Sequence, residues 1–243
     1  MAVIDCITFL IKSIRMLWHW LWTWKFRQIF GKDAGDNYHI IYYQKYVPDR
    51  RIVFIGPKPK VKRSLYRHST NLTTINSCAT TRSIGHLVYS FGTKAKTPPA
   101  ISSDSDTDEK MDISFISIGG LTNLKSCDVL KEAACFLNFS GDSIVQGNTK
   151  LITATLPDTD CGFIIKIHPS SNPKRTWLCC AGVGEWGTSG AAWFLAMKWK
   201  EIYKWTKDKS FAIITKTAIG SDESTQLVHR FLRFSETSEF TKL

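Results

Sequence analysis

Two glycine-rich stretches carry the residues best suited to bind an anion. Each follows an apolar run that predicts a buried strand, and each leads into a run that predicts a helix. Backbone amides at a helix start, together with the helix dipole, favour a phosphate or another anion. Neither stretch contains GxGxxG or the GKS/T of a Walker loop. The candidate ligand-binding residues are Gly119, Gly120, Thr122 and Asn123 in the first stretch, and Gly182, Gly184, Glu185, Trp186, Gly187, Thr188 and Ser189 in the second.

Glu185 is the candidate catalytic residue, because it is the acid inside the second stretch. Its carboxylate could accept a ribose hydroxyl, act as a general base or face solvent, and Trp186 could stack on a base. A hydrolase could use Ser189 with His168, but the GxSxG motif is absent. Catalysis is therefore less favoured than binding, and the glycines also suit tight strand–helix turns that bind nothing.

Lys166 and His168 lie two residues apart in the apolar run "CGFIIKIHP", which predicts a strand. Two residues of a strand with this spacing share a face. Both side chains could contact the phosphate or ribose of a ligand, and they could equally be the outward residues of a half-exposed strand. The sequence leaves these two interpretations open.

The seven cysteines are an odd number and include no CxxC pair. This pattern does not resemble a disulfide framework, so a reduced compartment is favoured. No group of cysteines and histidines has the spacing of a zinc site, so we expect no metal. A nucleotide is the small-molecule ligand that the glycine-rich stretches favour, and no cofactor is assigned.

Strand-like and helix-like runs alternate over residues 80–243 and predict an α/β domain. We expect a Rossmann-like fold with a mostly parallel sheet and flanking helices. Ligands of such sheets bind at the carboxyl ends of the strands, where both glycine-rich stretches would lie. The predicted helices are "TRSIGHLVYSFGTK", "LTNLKSCDVLKEAACFL" and "GTSGAAWFLAMKWKEIYKW"; the predicted strands are Ala100–Ser102, "MDISFISIGG", "CGFIIKIHP", "RTWLCCAGVG", "SFAIITKTAIG" and "TQLVHRFLRF".

Residues 1–31 predict an amphipathic helix that associates with a membrane. On a helix, the polar residues from Asp5 to Thr23 fall in one stripe roughly 80° wide, and nearly all others are apolar. This segment would be roughly 28 Å long, close to the roughly 30 Å hydrocarbon core of a bilayer. The residues assigned to the stripe and to the membrane-facing surface are Lys12, Arg15, His19, Trp18, Trp20, Trp22 and Trp24.

Three arrangements of this helix remain open. It could lie in the membrane interface with its polar stripe in water. It could instead span the bilayer as a transmembrane helix of a homo-oligomer, whose copies turn Lys12 and Arg15 towards a wet lumen. It could also dock on protein, although its apolar arc is wider than one docking face needs.

Residues 32–79 predict a β-rich basic connector between this helix and the α/β domain, in which the run "YHIIYYQKY" predicts a strand. The net charge of +11 favours anionic partners, of which membrane lipids fit best and nucleic acid is less favoured. Lys25, Arg27 and Lys32 follow the helix, so the positive-inside rule predicts inner-membrane association with the C-terminal domain in the cytoplasm.

The runs "DISFISIGGLTN" and "GFIIKIHPSSNPKRTWLCCAGVGEWGTSGAAWFL" resemble a pattern in uncharacterised bacterial proteins that join a membrane anchor to a Rossmann-like domain. The resemblance covers roughly residues 110–220 and implies no activity. In layout the chain is similar to membrane effectors of bacterial antiviral defence, in which a nucleotide-sensing domain or a protein partner controls a membrane-disrupting helix.

Three functions follow as hypotheses. The first is an effector whose α/β domain senses a nucleotide or a regulatory protein and controls membrane permeabilisation through oligomers. The second is a membrane-tethered enzyme that processes nucleotides or NAD. The third is a soluble binding subunit that docks on a partner through its Trp-rich helix. The first explains the helix, the charge and the missing catalytic set together.

Overall fold

The chain has a mixed α/β fold built on one large sheet with flanking helices. A computed structural model describes residues 2–34, 38–43, 78–95, 98–104, 107, 112–233 and 239–243. Its helices are α1 (Ala2–Phe30), α2 (Cys78–Lys94), α3 (Leu124–Glu132) and α4 (Glu185–Thr206), with a 3₁₀ turn at Asp222–Ser224. Its strands are β1 (Tyr38–Tyr42), β2 (Ala100–Ser103), β3 (Ser114–Ile118), β4 (Asn138–Ser140), β5 (Ser143–Gln146), β6 (Thr149–Thr153), β7 (Thr159–Ile167), β8 (Trp177–Gly182), β9 (Phe211–Ala218), β10 (Gln226–Arg233) and β11 (Phe240–Lys242).

The large sheet is half parallel and half antiparallel. Its strand order is β11-β10-β9-β7-β8-β3-β1-β2, in which β2, β1, β3 and β8 are parallel and the remaining pairs are antiparallel. The expectation of a mostly parallel sheet holds for the half formed by β2, β1, β3 and β8, and it does not hold for the half formed by β7, β9, β10 and β11. Only nine residues join β7 to β8 and seven join β9 to β10, which is too short for the crossover that parallel neighbours require.

Two apolar cores lie on the two faces of this sheet. Helices α1, α2 and α4 cover one face, where Leu87, Phe91 and Leu195 are fully buried. Helix α3 and the small antiparallel sheet β4-β5-β6 cover the other face, where Val129 and Ile144 are fully buried. The central strands are therefore buried on both sides, which explains their continuous apolar sequences.

Helix α1 has a buried end and an exposed apolar stretch. Phe26, Ile29 and Phe30 are fully buried, and the ring of Phe26 lies 5.3 Å from that of Trp199 on α4. Further towards the N-terminus, large apolar side chains are exposed instead. They are Ile11, Ile14, Met16, Leu17, Trp18, Trp20 and Trp24, and we call this set the α1 apolar surface.

None of the helices in the described part of the chain combines the length and apolarity needed to cross a membrane. The transmembrane interpretation of α1 is thus not supported, since Lys12, Arg15 and Lys25 interrupt its apolar sequence. The side chains of Arg15 and His19 lie outside the described residues.

Strand β1 lies in the interior of the large sheet, between β2 and β3. Ile40 and Ile41 are fully buried and belong to the cores on opposite faces of the sheet. The segment 32–79, expected to be a connector, thus supplies a central strand to the same sheet as residues 80–243. Residues 44–77, with most of the predicted basic run, lie outside the described residues.

The first turns of α4 touch the strands beneath them through glycines. A Cβ atom on Gly162 would overlap with the carbonyl oxygen of Gly187, one on Gly182 with the amide of Thr188, and one on Gly187 with the carbonyl oxygen of Cys161. Backbone meets backbone at all three positions, so no side chain can move aside. The glycines of the second stretch are therefore required for strand–helix packing.

We predict that Gly187→Ala lowers the free energy of unfolding by about 3 kcal/mol, because its methyl group has no space. Gly85→Ala is the matched control at an exposed position of α2, where an added Cβ meets nothing within 4 Å. That control should raise stability by about 0.8–1 kcal/mol, the helix preference for alanine. Urea unfolding of both variants measures the difference, and equal stability of the two would contradict this packing.

Candidate functional site

Both glycine-rich stretches lie at the carboxyl edge of the parallel strands. The first follows β3 and the second follows β8, its direct neighbour in the sheet. The amide of Gly119 donates to the carbonyl of Cys180 at 2.9 Å, which joins the two strand ends. The predicted ligand residues of the two stretches are thus adjacent in space.

Asn123 holds the first stretch together from inside. It is fully buried, and its Oδ1 accepts hydrogen bonds from the amides of Lys125 at 2.9 Å and Ser126 at 3.2 Å, which caps α3. Its Nδ2 donates to the carbonyl oxygens of Ile41 at 3.1 Å and Ile118 at 2.9 Å. The side chain ties β1, β3 and α3 to one another, so its amide group is already occupied by protein.

Gly119 is the position in this stretch where glycine is needed for conformation, with φ of +105°. Gly120 lies under the ring of Phe139 from the small sheet. Leu121 and Thr122 are exposed at the tip. The surface that the first stretch offers to a ligand is therefore backbone with these two side chains.

Asp160 fills the anion position at the start of α4. Its carboxylate accepts hydrogen bonds from the amides of Gly187 at 2.7 Å, Gly184 at 3.1 Å and Cys161 at 2.8 Å, and it is almost fully buried. The sequence predicted a phosphate for the amides of the second stretch, which include those of Gly184 and Gly187. In the structure the carboxylate of Asp160 takes that place, and the helix dipole stabilises it. A side chain at the start of β7 thus caps the start of α4.

Glu185 and Trp186 remain accessible beside this cap. Glu185 is exposed at the first position of α4. Trp186 is half-buried, and the guanidinium of Arg82 from α2 lies 3.9 Å from the centre of its ring. That face of the indole is therefore covered by a cation rather than open for a stacked base.

A polar cluster under Trp186 joins α2, α4 and the 3₁₀ turn. Asp222 is buried and accepts hydrogen bonds from Ser189 Oγ at 2.5 Å and Arg82 Nε at 3.1 Å, while His86 Nε2 lies 3.1 Å from the same carboxylate. A second nitrogen of Arg82 donates to Ser189 Oγ at 3.0 Å. The cluster fastens α2 to α4 at the carboxyl edge of the sheet.

The cluster lacks the geometry of a hydrolase triad. Ser189 donates to one carboxylate oxygen of Asp222, and His86 contacts the other, so the imidazole does not take the serine proton. Sequence reasoning missed Arg82, His86 and Asp222. The i, i+4 spacing of Arg82 and His86 was the available signal, but their shared partner lies about 140 residues away along the chain.

Lys166 and His168 lie at the opposite edge of the sheet, because β7 runs antiparallel to β8. Lys166 is fully buried, and its Nζ donates to the carbonyl oxygens of Gln28 at 2.5 Å and Asp208 at 2.9 Å. The two ring nitrogens of His168 lie 3.0 Å from the carbonyl oxygen of Arg175 and 2.8 Å from that of Asp208. The predicted ligand residues thus divide between two distant edges, and Ser189 and His168 are not brought together.

The central cysteines are parts of the core. Burial raises the pKa of the Cys161 thiol to about 12 and that of Cys179 to about 11. With these raised pKa values, both thiols stay protonated at neutral pH and are unsuited to nucleophilic attack. Among the described residues no three His, Cys, Asp or Glu side chains converge in a way that suits a metal ion.

Neither a family model, nor a curated protein, nor a solved structure matches this chain.

We predict that Asp160→Ala lowers the free energy of unfolding by about 2–4 kcal/mol, because the buried amides of Cys161 and Gly187 and the half-buried amide of Gly184 lose their acceptor. Phosphate should recover part of this loss by occupying the vacated anion position. The measurement is Tm in sodium phosphate and in sodium chloride at equal ionic strength. Asp158→Ala, on an exposed turn nearby, should change stability by less than about 0.5 kcal/mol. If phosphate raises Tm equally in all three proteins, Asp160 does not occupy an anion site.

Proposed function

We propose that this chain is a membrane-associated effector. Helix α1 attaches it to an anionic membrane surface, and the α/β domain, for which we propose a Rossmann-like fold, senses a nucleotide or a regulatory protein. Sensing then controls membrane permeability through assembly of several copies. The observation that carries the proposal is the α1 apolar surface.

The α1 apolar surface is too large and too continuous for an ordinary exposed helix. Met16, Leu17, Trp18 and Trp20 are each more than half exposed, between 55% and 65%. Exposed apolar patches of this kind mark sites of association with membranes or proteins. Tryptophan in particular favours the headgroup region, where its ring is half in contact with acyl chains.

The charges beside this surface favour an anionic membrane over a neutral protein groove. Lys12 is exposed on the polar stripe of α1, and Lys25 lies 4.6 Å from the ring centre of Trp22. With a net charge of +11, the whole chain is attracted to anionic lipid. An interfacial helix with a basic polar face explains both features, and it needs no span.

The buried end of α1 connects membrane attachment to the sheet. Phe26 and Phe30 pack against Phe91 of α2 at 5.0 Å between ring centres, and Lys166 holds the carbonyl of Gln28. A change in the sheet or in α2 is therefore transmitted to the direction in which α1 leaves the domain. This rigid connection is what supports a sensing role for the α/β domain.

The similarity in layout to bacterial antiviral effectors, expected from the sequence, supports permeabilisation as the output, as an analogy of architecture. In the arrangement we propose, several copies lie side by side in the interface with the polar stripe, including Lys12, in water and the apolar faces among the lipids. The corresponding location is the inner membrane, with the α/β domain in the cytoplasm.

We predict that Trp18→Ser combined with Trp20→Ser abolishes flotation of the full chain with anionic vesicles. Burial of each large apolar side chain contributes about 1.5–3 kcal/mol, so the partition coefficient should fall more than about tenfold. Tyr89→Ser combined with Leu156→Ser is the matched control, because both residues are 63% exposed but lie outside α1.

Flotation of the control pair together with loss in the tryptophan pair is the expected pattern. Equal flotation of both pairs would contradict attachment through α1. Failure of the unaltered chain to float would instead favour a protein partner for the α1 apolar surface.

We further predict that Lys12→Leu combined with Arg15→Leu leaves flotation intact but stops release of a dye trapped in the vesicles. The change removes charges from the polar stripe that interfacial helices keep in water, and it adds apolar surface to the helix. Dye release measured at equal amounts of bound protein separates the two effects. Unaltered release would contradict permeabilisation that depends on this charged stripe.

A further inference from the structure

An open cavity of about 490 Å³ lies at the edge of the sheet opposite the glycine-rich stretches. The end of α1, the loop from β7 to β8, the turn from α4 to β9 and the end of β10 form its walls. This volume lies in the range of small-molecule sites, about 300–1,000 Å³. The cavity is larger than one phosphate ion needs.

The lining of this cavity is strongly basic. Asp208 is the one carboxylate among the described lining residues, and the C-termini of α1 and α4 each add about half a negative charge. Five cationic side chains outweigh these contributions, and an imidazole joins them. They are Arg27, Lys32, Lys174, Lys209 and Arg233, with His168.

We propose that this cavity binds a compound that carries two or more phosphate groups. The cations come from four separate chain segments, so they surround a ligand instead of forming a stripe along one helix. Lysine and arginine are suited to phosphate oxygens as charged donors. The described lining contains no Phe, Tyr or Trp ring, so the site recognises phosphates rather than a stacked base. The source of the phosphates is either a free polyphosphate compound or a lipid headgroup.

The walls are held in place before any ligand arrives. Arg175 lies near the end of the β7–β8 loop. It donates to Asp33, which follows α1 in the sequence, at 2.9 Å and to Asp112, which precedes β3, at 2.8 Å. The hydrogen bond from Arg175 lowers the pKa of the Asp112 carboxyl, so this carboxyl stays charged at neutral pH. We call the contacts of Arg175 with Asp33 and Asp112 the Arg175 clamp. Lys174 is next to this clamp in sequence. A preorganised wall reduces the ordering cost of binding.

Because the last turn of α1 contributes Arg27 and precedes Lys32, a bound polyanion bridges α1 to the sheet. Occupancy would fix the direction of α1, which is how a ligand would control membrane attachment. This regulatory step rests on the proposed function, whereas polyanion binding does not.

The test uses the full chain and two double variants that remove equal charge. Lys32→Gln with Lys174→Gln alters the cavity, and both lysines are exposed. Lys150→Gln with Lys216→Gln is the control, with exposed lysines on β6 and at the carboxyl edge. The probes are sodium tripolyphosphate and ATP in calorimetry, and phosphatidylcholine vesicles with and without cardiolipin, which has two phosphates.

Saturable binding that weakens more than about tenfold in the cavity variant, and less than about twofold in the control, is the expected result. Such binding of tripolyphosphate or ATP assigns a free ligand, and such binding of cardiolipin alone assigns a headgroup. Absence of saturable binding to every probe, or equal weakening in both variants, overturns the proposal. The Trp18→Ser, Trp20→Ser protein should still bind tripolyphosphate, so failure of membrane attachment leaves the cavity result unaffected.

Discussion

The close approach of α4 to β7 and β8 is the constraint on which the rest of the structure depends. Gly162, Gly182 and Gly187 allow the backbones of helix and strands to touch, and Asp160 fixes the start of the helix with hydrogen bonds from Gly184 and Gly187. Since α2 and the buried end of α1 both pack on α4, its position determines theirs. The carboxylate of Asp160 occupies the position at the start of α4 where a glycine-rich turn can bind an anion. In this chain the turn therefore serves the packing of α4 on the strands.

Much of the fold was predictable because most elements have strong local signals. The α/β class and the helices near residues 80–94 and 187–205 follow from apolar periodicity and glycine boundaries. The antiparallel half of the sheet was not predicted. Neighbouring strands become antiparallel where no crossover helix joins them, as between β7 and β8 and between β9 and β10. The short strands β4–β6 were missed because they are polar and only three to five residues long. Strand β1 was predicted as a strand but was assigned to a connector instead of to the main sheet. Its partners β2 and β3 lie far away in the sequence, so local patterns do not reveal the pairing.

The candidate site was predictable in location but not in role. Both glycine-rich stretches lie at one edge, yet Asn123 and Asp160 occupy the groups that were expected to meet a ligand. Asp160 lies more than twenty residues before Gly184 and Gly187, and Asp222 lies more than thirty residues after Ser189, so spacing could not reveal either contact. The basic cavity at the opposite edge was not predicted, because its cationic side chains come from four separate segments and none of these segments has a sequence motif of its own. The chain thus has one edge of the sheet closed by internal hydrogen bonds and by the Arg82–Asp222 ion pair, and an opposite edge that is open and positively charged.

The central claim is that α1 leaves the domain as an apolar helix that lies on an anionic membrane. Hydrogen exchange of the unaltered chain, with and without phosphatidylglycerol vesicles, tests it most directly. In water the exposed stretch of α1 has few tertiary contacts and should open readily, whereas its buried end should exchange slowly. We expect vesicles to slow exchange by more than about tenfold in peptides from residues 2–24, with little change in the central strands. Unchanged exchange in this segment, or protection spread evenly over the sheet, would contradict the account.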